Sequence, residues 1–267
     1  MKTRTKAAAA MAALCLTGAC CGLFQSKEER YKKEMECALR VTDNKSIEIL
    51  QKGMYCCEAL PAGAMTLPQA RRFYLERALK LNPDSTDAMA AVAKSYWDEG
   101  SYPEGLKFYQ MLEKKSEKPL SAVIGEYTMY RLMKKWDDAA GRIAWIRQQK
   151  AIDAAKVGDY LEGRLLYDEG KYPEALPLLQ NAIERANAGD DSLGNTPYTM
   201  KDAAFWVAQI KLKGGDPQGA YEAFKEYLHK MADPDFQIFY AYWLPRMGSD
   251  QAKFYDTIET QWAHVRQ

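Results

Sequence analysis

The chain has 267 residues, with 37 basic and 36 acidic side chains, two histidines and six cysteines. A formal charge of +1 leaves no cationic excess for wrapping nucleic acid, and no polybasic run argues for a broad attraction to anionic lipid. With 47% hydrophobic residues the chain is rich enough in apolar side chains to build a packed core.

Residues 1–19 read as a leader and not as part of the fold. Lys2, Arg4 and Lys6 make a positive start, and Ala7 to Leu16 is an apolar run too short to span a bilayer permanently. Leu16-Thr17-Gly18-Ala19-Cys20 resembles a bacterial lipobox, with small residues before a cysteine. That resemblance implies lipidation of Cys20, with palmitate among the acyl groups, and cleavage that makes it the new amino terminus. Thr17 stands where leucine is usual, and ordinary secretion after Ala19 is the alternative. By the sorting rules of enteric lipoproteins, Cys21 in place of aspartate after Cys20 favours the outer membrane, with the protein facing the periplasm. Loss of Lys2, Arg4 and Lys6 leaves 34 basic against 36 acidic groups, a net charge of −2. No later run approaches a membrane span in length.

Residues 20–42 read as a tether and a first helix over Glu28 to Arg40. Asp43 suits the N-cap of a second helix running to about Leu60. Pro61-Ala62-Gly63-Ala64 breaks it, and Pro68 restarts a helix to Leu81. Cys21, Cys37, Cys56 and Cys57 remain in an exported chain. Adjacent cysteines on one helix point apart, so the expected disulfide joins Cys37 to Cys56 or to Cys57. Buried free thiols are the alternative. No Cys-x-x-Cys occurs and both histidines, His229 and His264, lie far along the chain, so no metal site is expected.

Next comes a stretch that occurs twice. Asp98-Glu99-Gly100-Ser101-Tyr102-Pro103-Glu104 returns 70 residues later as Asp168-Glu169-Gly170-Lys171-Tyr172-Pro173-Glu174. A weaker copy, Lys135-Trp136-Asp137-Asp138-Ala139, lies between them. In each strong copy glycine ends one helix, and Tyr-Pro-Glu starts the next. The second helix places Leu106, Tyr109 and Leu112, or Leu176, Leu179 and Ala182, at helical spacing. Half of the 70-residue offset is close to the period of about 34 residues at which helix pairs stack. With Ala93, Tyr96, Gly100 and Tyr109 in one copy, and Gly163, Leu166, Gly170, Ala175 and Ala182 in another, the chain resembles tetratricopeptide-repeat proteins. The resemblance implies an all-α, right-handed solenoid of about five helix hairpins over residues 43–233. Residues 187–199 are expected to form a surface loop that lengthens one repeat; Asp190 and Asp191 lack the spacing of a calcium loop. Residues 234–267 are expected to form a capping helix pair.

No nucleophile–base arrangement, phosphate loop or metalloprotease motif appears, so neither catalysis nor a cofactor is expected. In tetratricopeptide proteins the first helix of each pair lines a concave groove. Carried onto this chain, that resemblance places Lys94, Trp97, Arg131, Tyr160, Arg164 and Tyr167 there as candidate peptide-binding residues, with Ala90, Ile124, Thr128, Phe205 and Gln209 beside them. Cations among aromatics would favour an extended peptide with acidic groups. The resemblance implies a membrane-anchored scaffold for other envelope proteins. The second expectation is a non-catalytic accessory that binds cell-wall peptide or glycan for an envelope enzyme.

Overall fold

A computed structural model describes residues 26–53, 57–149, 154–187, 203–216, 219–220 and 222–223. The leader with Cys20 and Cys21, Cys56, the loop with Asp190 and Asp191, and the expected carboxy-terminal cap lie outside those residues. The described chain is all-α, built of consecutive helix pairs. Its ten helices are α1 (Lys27–Leu39), α2 (Asn44–Gln51), α3 (Leu67–Leu81), α4 (Thr86–Glu99) and α5 (Tyr102–Lys115), then α6 (Leu120–Leu132), α7 (Trp136–Arg147), α8 (Ala154–Asp168), α9 (Tyr172–Asn187) and α10 (Ala203–Lys213). Two compact units divide within α7, after Ala139.

In the first unit α3 packs on α4, α4 on α5 and α5 on α6. Turns as short as Gly100-Ser101 between α4 and α5 leave each pair no choice but to run antiparallel. The first hairpin is built differently from the expected one. α1, and not the segment after Asp43, packs along α3. Asp43 does cap α2, accepting a hydrogen bond from the Ser46 N–H at 2.7 Å, but α2 stops at Gln51 and touches α3 only lightly. The reason is Gly53, whose φ of 69° closes the helix, with its N–H donating to Leu50 O at 3.0 Å. Cys57 to Leu60 is therefore not helical. It turns back instead, with the Leu60 N–H donating to Leu50 O at 3.2 Å.

This insertion is fastened to the α1–α3 pair at several points. Cys57 forms a disulfide with Cys37 of α1, and the two cysteines are only 5% and 2% exposed. Arg71 of α3 donates through Nε to Val41 O at 2.9 Å, and the Tyr74 hydroxyl donates to Glu58 O at 2.7 Å. Arg77 of α3 reaches Glu34 of α1 at 3.0 Å and also pairs with Glu58. Around these bonds Val41, Leu50, Leu60, Ala70, Tyr74 and Val92 form one continuous core.

In the second unit α8 packs on α9, and both contact α10. Arg147 at the end of α7 bridges to Asp159 and Glu162 of α8 at 2.9 and 2.6 Å. Val157, Leu161, Ala175, Leu179 and Ala208 are buried. Each leucine contributes about 1.5–3 kcal/mol on burial.

The helix ends show the repeat at its most regular. Gly100, Gly170 and Gly215 have φ of 81°, 80° and 77°. At the first, the Gly100 N–H donates to Trp97 O and the Ser101 N–H to Tyr96 O, both at 2.9 Å, the double bond of a Schellman cap. The same pair recurs at Gly170–Lys171 and Gly215–Asp216. It recurs also in the weak middle copy, where Lys134 adopts φ of 58° with bonds of 3.0 and 2.9 Å.

Close approach between helices takes a second form. Gly163 leaves room for Leu179, whose Cγ would lie 2.9 Å from an added Cβ. In the middle copy the large Tyr127 stands at the corresponding position, and Gly125, two residues earlier, makes the space. A Cβ there would overlap the Tyr109 ring.

Candidate functional site

Counted back from the glycine that ends the helix, the candidate residues fall into register. Six residues before it stands Lys94 or Arg164, three before it Trp97 or Tyr167, and two before it Asp98 or Asp168. On a helix these offsets put the cation beside the carboxylate one turn later, with the aromatic ring next to both.

The geometry follows that register in both units. Lys94 Nζ lies 2.9 and 3.0 Å from the two Asp98 oxygens and 5.4 Å from the centre of the Trp97 ring. Arg164 pairs with Asp168, and its guanidinium carbon lies 5.1 Å from the Tyr167 ring centre. In the second unit the arrangement is extended by α10. Trp206 brings its ring to 3.4 Å from the Arg164 guanidinium and 5.0 Å from Tyr167. Tyr172, which opens α9, lies 5.5 Å from Tyr167. Contacts of this kind between a planar cation and aromatic faces contribute roughly 0.5–2 kcal/mol each.

Two candidates stand elsewhere. Tyr160 is 1% exposed and Arg131 is 8% exposed, so both belong to the interior and present no open surface to a peptide. Ile124 and Thr128, expected beside Arg131, are buried with it, because α6 is covered on nearly every face. The groove of exposed cations is thereby altered. Lys94 and Arg164 are each offset by an aspartate of the same helix, and Arg131 is inside. What remains at the surface is Lys94, exposed beside the half-buried Trp97 in the first unit, and the half-buried rings of Tyr167, Tyr172 and Trp206 in the second.

Trp206 escapes sequence reasoning, which favoured its neighbour Phe205. Phe205 is buried, and the two rings meet edge to face at 4.7 Å. The choice between them depends on how α10 is rotated against α8, which no local spacing reports.

A comparable arrangement joins α3 to α4 in the first unit. Arg72 of α3 lies 4.0 Å from the Tyr96 ring centre and 2.6 Å from Glu99, and Tyr96 stacks on Phe108. Glu99 also accepts from the Gln69 amide. The Arg72 hydrogen bond holds the Glu99 carboxyl below the usual carboxylate range. Thus in the first strong copy of Asp-Glu-Gly the aspartate serves its own helix and the glutamate ties the helix to the preceding one. Among the described residues no group of three or more His, Cys, Asp or Glu is placed to hold a metal ion, and no helix is long and apolar enough to cross a membrane.

A family model for the tetratricopeptide repeat matches residues 67–119 and 160–235, which span α3 to α5 and most of the second unit. These stretches are tetratricopeptide repeats. The chain is similar in fold to a thermophilic tetratricopeptide-repeat protein of Thermus thermophilus, with 16% identity and a TM-score of 0.50 over 80% of this chain and 98% of that one. It also matches pilF of Pseudomonas aeruginosa (14% identity, TM-score 0.47, 87% of this chain and 99% of that one). MamA of Desulfovibrio magneticus RS-1 matches at 11% identity and a TM-score of 0.47, over 75% of this chain and 94% of that one. No curated protein matches the chain. At these identities the likeness concerns the fold alone. Tetratricopeptide repeats bind peptides and proteins and are as a rule non-catalytic.

Proposed function

We propose that this protein is a protein-interaction scaffold of the cell envelope, held to the outer membrane by lipid on Cys20 and facing the periplasm, where it supports assembly of an envelope complex. The observation that carries the reading is the cation–aromatic–aspartate arrangement repeated at the same helical register, Lys94–Trp97–Asp98 and Arg164–Tyr167–Asp168. Each unit keeps an aromatic side chain positioned by a neighbour whose charge is already offset. Rings held in this way are the kind of group that anchors a protein interface, at low entropic cost. The partner they suit presents apolar or amide-rich side chains and backbone. The buried Cys37–Cys57 disulfide agrees with an oxidising compartment. So does the lipobox-like run that ends at Cys20.

The test is chemical crosslinking in cells followed by mass spectrometry, comparing the natural chain with Trp97→Ala/Tyr167→Ala. Loss of a stoichiometric partner in the variant supports the reading; an unchanged set of partners refutes the role of these rings. Mass measurement of the amino-terminal peptide, with Cys20→Ser as control, checks the anchor separately. An unmodified Cys20 would leave a secreted scaffold in its place. Retention on isolated cell wall with no protein partner would favour the accessory role in binding cell-wall peptide or glycan.

A further inference from the structure

Where α1 begins and α3 ends, the first hairpin encloses an open cleft of about 440 Å³ lined by Lys27, Glu28, Tyr31, Lys32, Leu81 and Asn82. None of these residues belongs to the aromatic register of Trp97 and Tyr167, and the scaffold role makes no use of the cleft. Its polar groups are unevenly committed. Lys32 pairs with Glu28 at 2.7 Å, and the Tyr31 hydroxyl shares a hydrogen bond of 2.6 Å with Ser85. Asn82 accepts from the Asp84 N–H through Oδ1, which leaves its amide N–H groups without a partner among the described residues. Lys27 has no ion pair among them either. The lining therefore carries two cations against one acid, with an uncommitted ammonium, an uncommitted amide donor, and Leu81 and the Tyr31 ring as apolar wall. The amino-terminal end of α1 is already capped by Ser26 and Glu29 and holds Glu28 in its first turn, so the positive excess of the cleft rests on Lys27.

We propose that this cleft holds the phosphodiester headgroup of an anionic phospholipid. A phosphate diester needs donors for its two free oxygens, which Lys27 and Asn82 supply, and an apolar surface for its glycerol carbons, which Leu81 and Tyr31 supply. The volume is within the range of about 300–1,000 Å³ usual for small-ligand sites. Position supplies the remaining argument, and it rests on the proposed anchoring at Cys20. Only Cys21 to Ser26 separate that residue from α1. Even fully extended, such a segment reaches about 20 Å. The opening of the cleft thus stays near the bilayer surface, where headgroups are the abundant anions. Occupation would orient the first hairpin on the membrane, which attachment at Cys20 by itself does not do.

The test uses the full chain purified in non-ionic detergent and titrated by calorimetry with short-chain phosphatidylglycerol and, separately, short-chain phosphatidylcholine. Saturable binding of phosphatidylglycerol is expected, weakened about tenfold by Lys27→Ala and again by Asn82→Ala, the usual weight of one hydrogen bond to a charged group. Both variants lie on the exposed rim and leave the Cys37–Cys57 core untouched, so unchanged thermal unfolding shows that the fold is intact. Equal binding of the two lipids, or equal binding by variants and natural chain, overturns the proposal. Displacement of the lipid by equimolar inorganic phosphate also overturns it, by assigning the cleft to free phosphate. Because this binding is read in detergent, it is independent of acylation, and a failure here is distinguishable from an unmodified Cys20.

Discussion

Lys134 occupies the left-handed position that glycine holds at residues 100, 170 and 215, and its replacement by glycine isolates one physical term. A left-handed conformation costs a residue with a Cβ about 1–2 kcal/mol, and glycine nothing comparable. Glycine returns part of that gain through the greater freedom of the unfolded chain, about 0.5–1 kcal/mol. Lysine also carries a charge that favours the carboxy-terminal end of α6, so Lys134→Ala is the proper reference: it removes the charge and keeps the strain. Lys134→Gly is expected to be more stable than Lys134→Ala by about 1 kcal/mol, read as a shift of the urea midpoint at constant slope. For a chain of this size, about 1 kcal/mol corresponds to roughly 2–4 °C in Tm. The reciprocal experiment is Gly100→Ala or Gly170→Ala. Nothing lies within 4 Å of a Cβ added at either site, so any loss is backbone strain and not collision. A loss of about 1 kcal/mol is expected at each. If Lys134→Gly were no more stable than Lys134→Ala, or if Gly100→Ala were neutral, the capping geometry would not be what limits these turns.

Gly125→Ala tests the second kind of glycine, since its Cβ would overlap the Tyr109 ring; a loss of about 1–3 kcal/mol is expected, partly recovered in Gly125→Ala/Tyr109→Leu. A double-mutant cycle with no coupling between the two sites would remove the contact from the account. Cys37→Ser/Cys57→Ser is expected to cost about 2–4 kcal/mol, with hydrogen exchange accelerating in α1 ahead of α5; uniform exchange across both helices would argue against a local staple. Glu99 has a folded-state pKa held below its unfolded value by Arg72, so its contribution is fully present above the unfolded pKa and disappears as pH falls through the folded one. Urea unfolding of the natural chain and of Glu99→Gln should therefore differ near neutral pH and converge in acid, and a gap that persists in acid would rule out the ion pair as its source.

Features that depend on a few consecutive residues were determined by the sequence alone. The glycine-ended helices, the Tyr-Pro-Glu starts and the capping role of Asp43 involve bonds between residues close together in the chain, and spacing reveals them. The cation, ring and aspartate of one helix belong to the same class, because offsets of three and four residues decide which side chains meet. The period of the motif then implies stacked helix pairs, since one pair cannot bury its own apolar face.

Tertiary packing decided the rest. That α1 serves as partner to α3, across an insertion held by Cys57, depends on which helix covers Tyr74 and Ala70, and a periodic pattern is blind to an interruption. Cys56 and Cys57 are equivalent on paper; the end of α2 at Gly53 is what lets Cys57 turn back toward Cys37. Arg131 and Tyr160 occupy positions that are open in a repeat taken singly, yet burial is a property of everything packed around a helix. Trp206 stacks on Arg164 because α10 presents that face to α8. Such choices rest on contacts between residues far apart along the chain, where spacing carries no information and only the packed structure does.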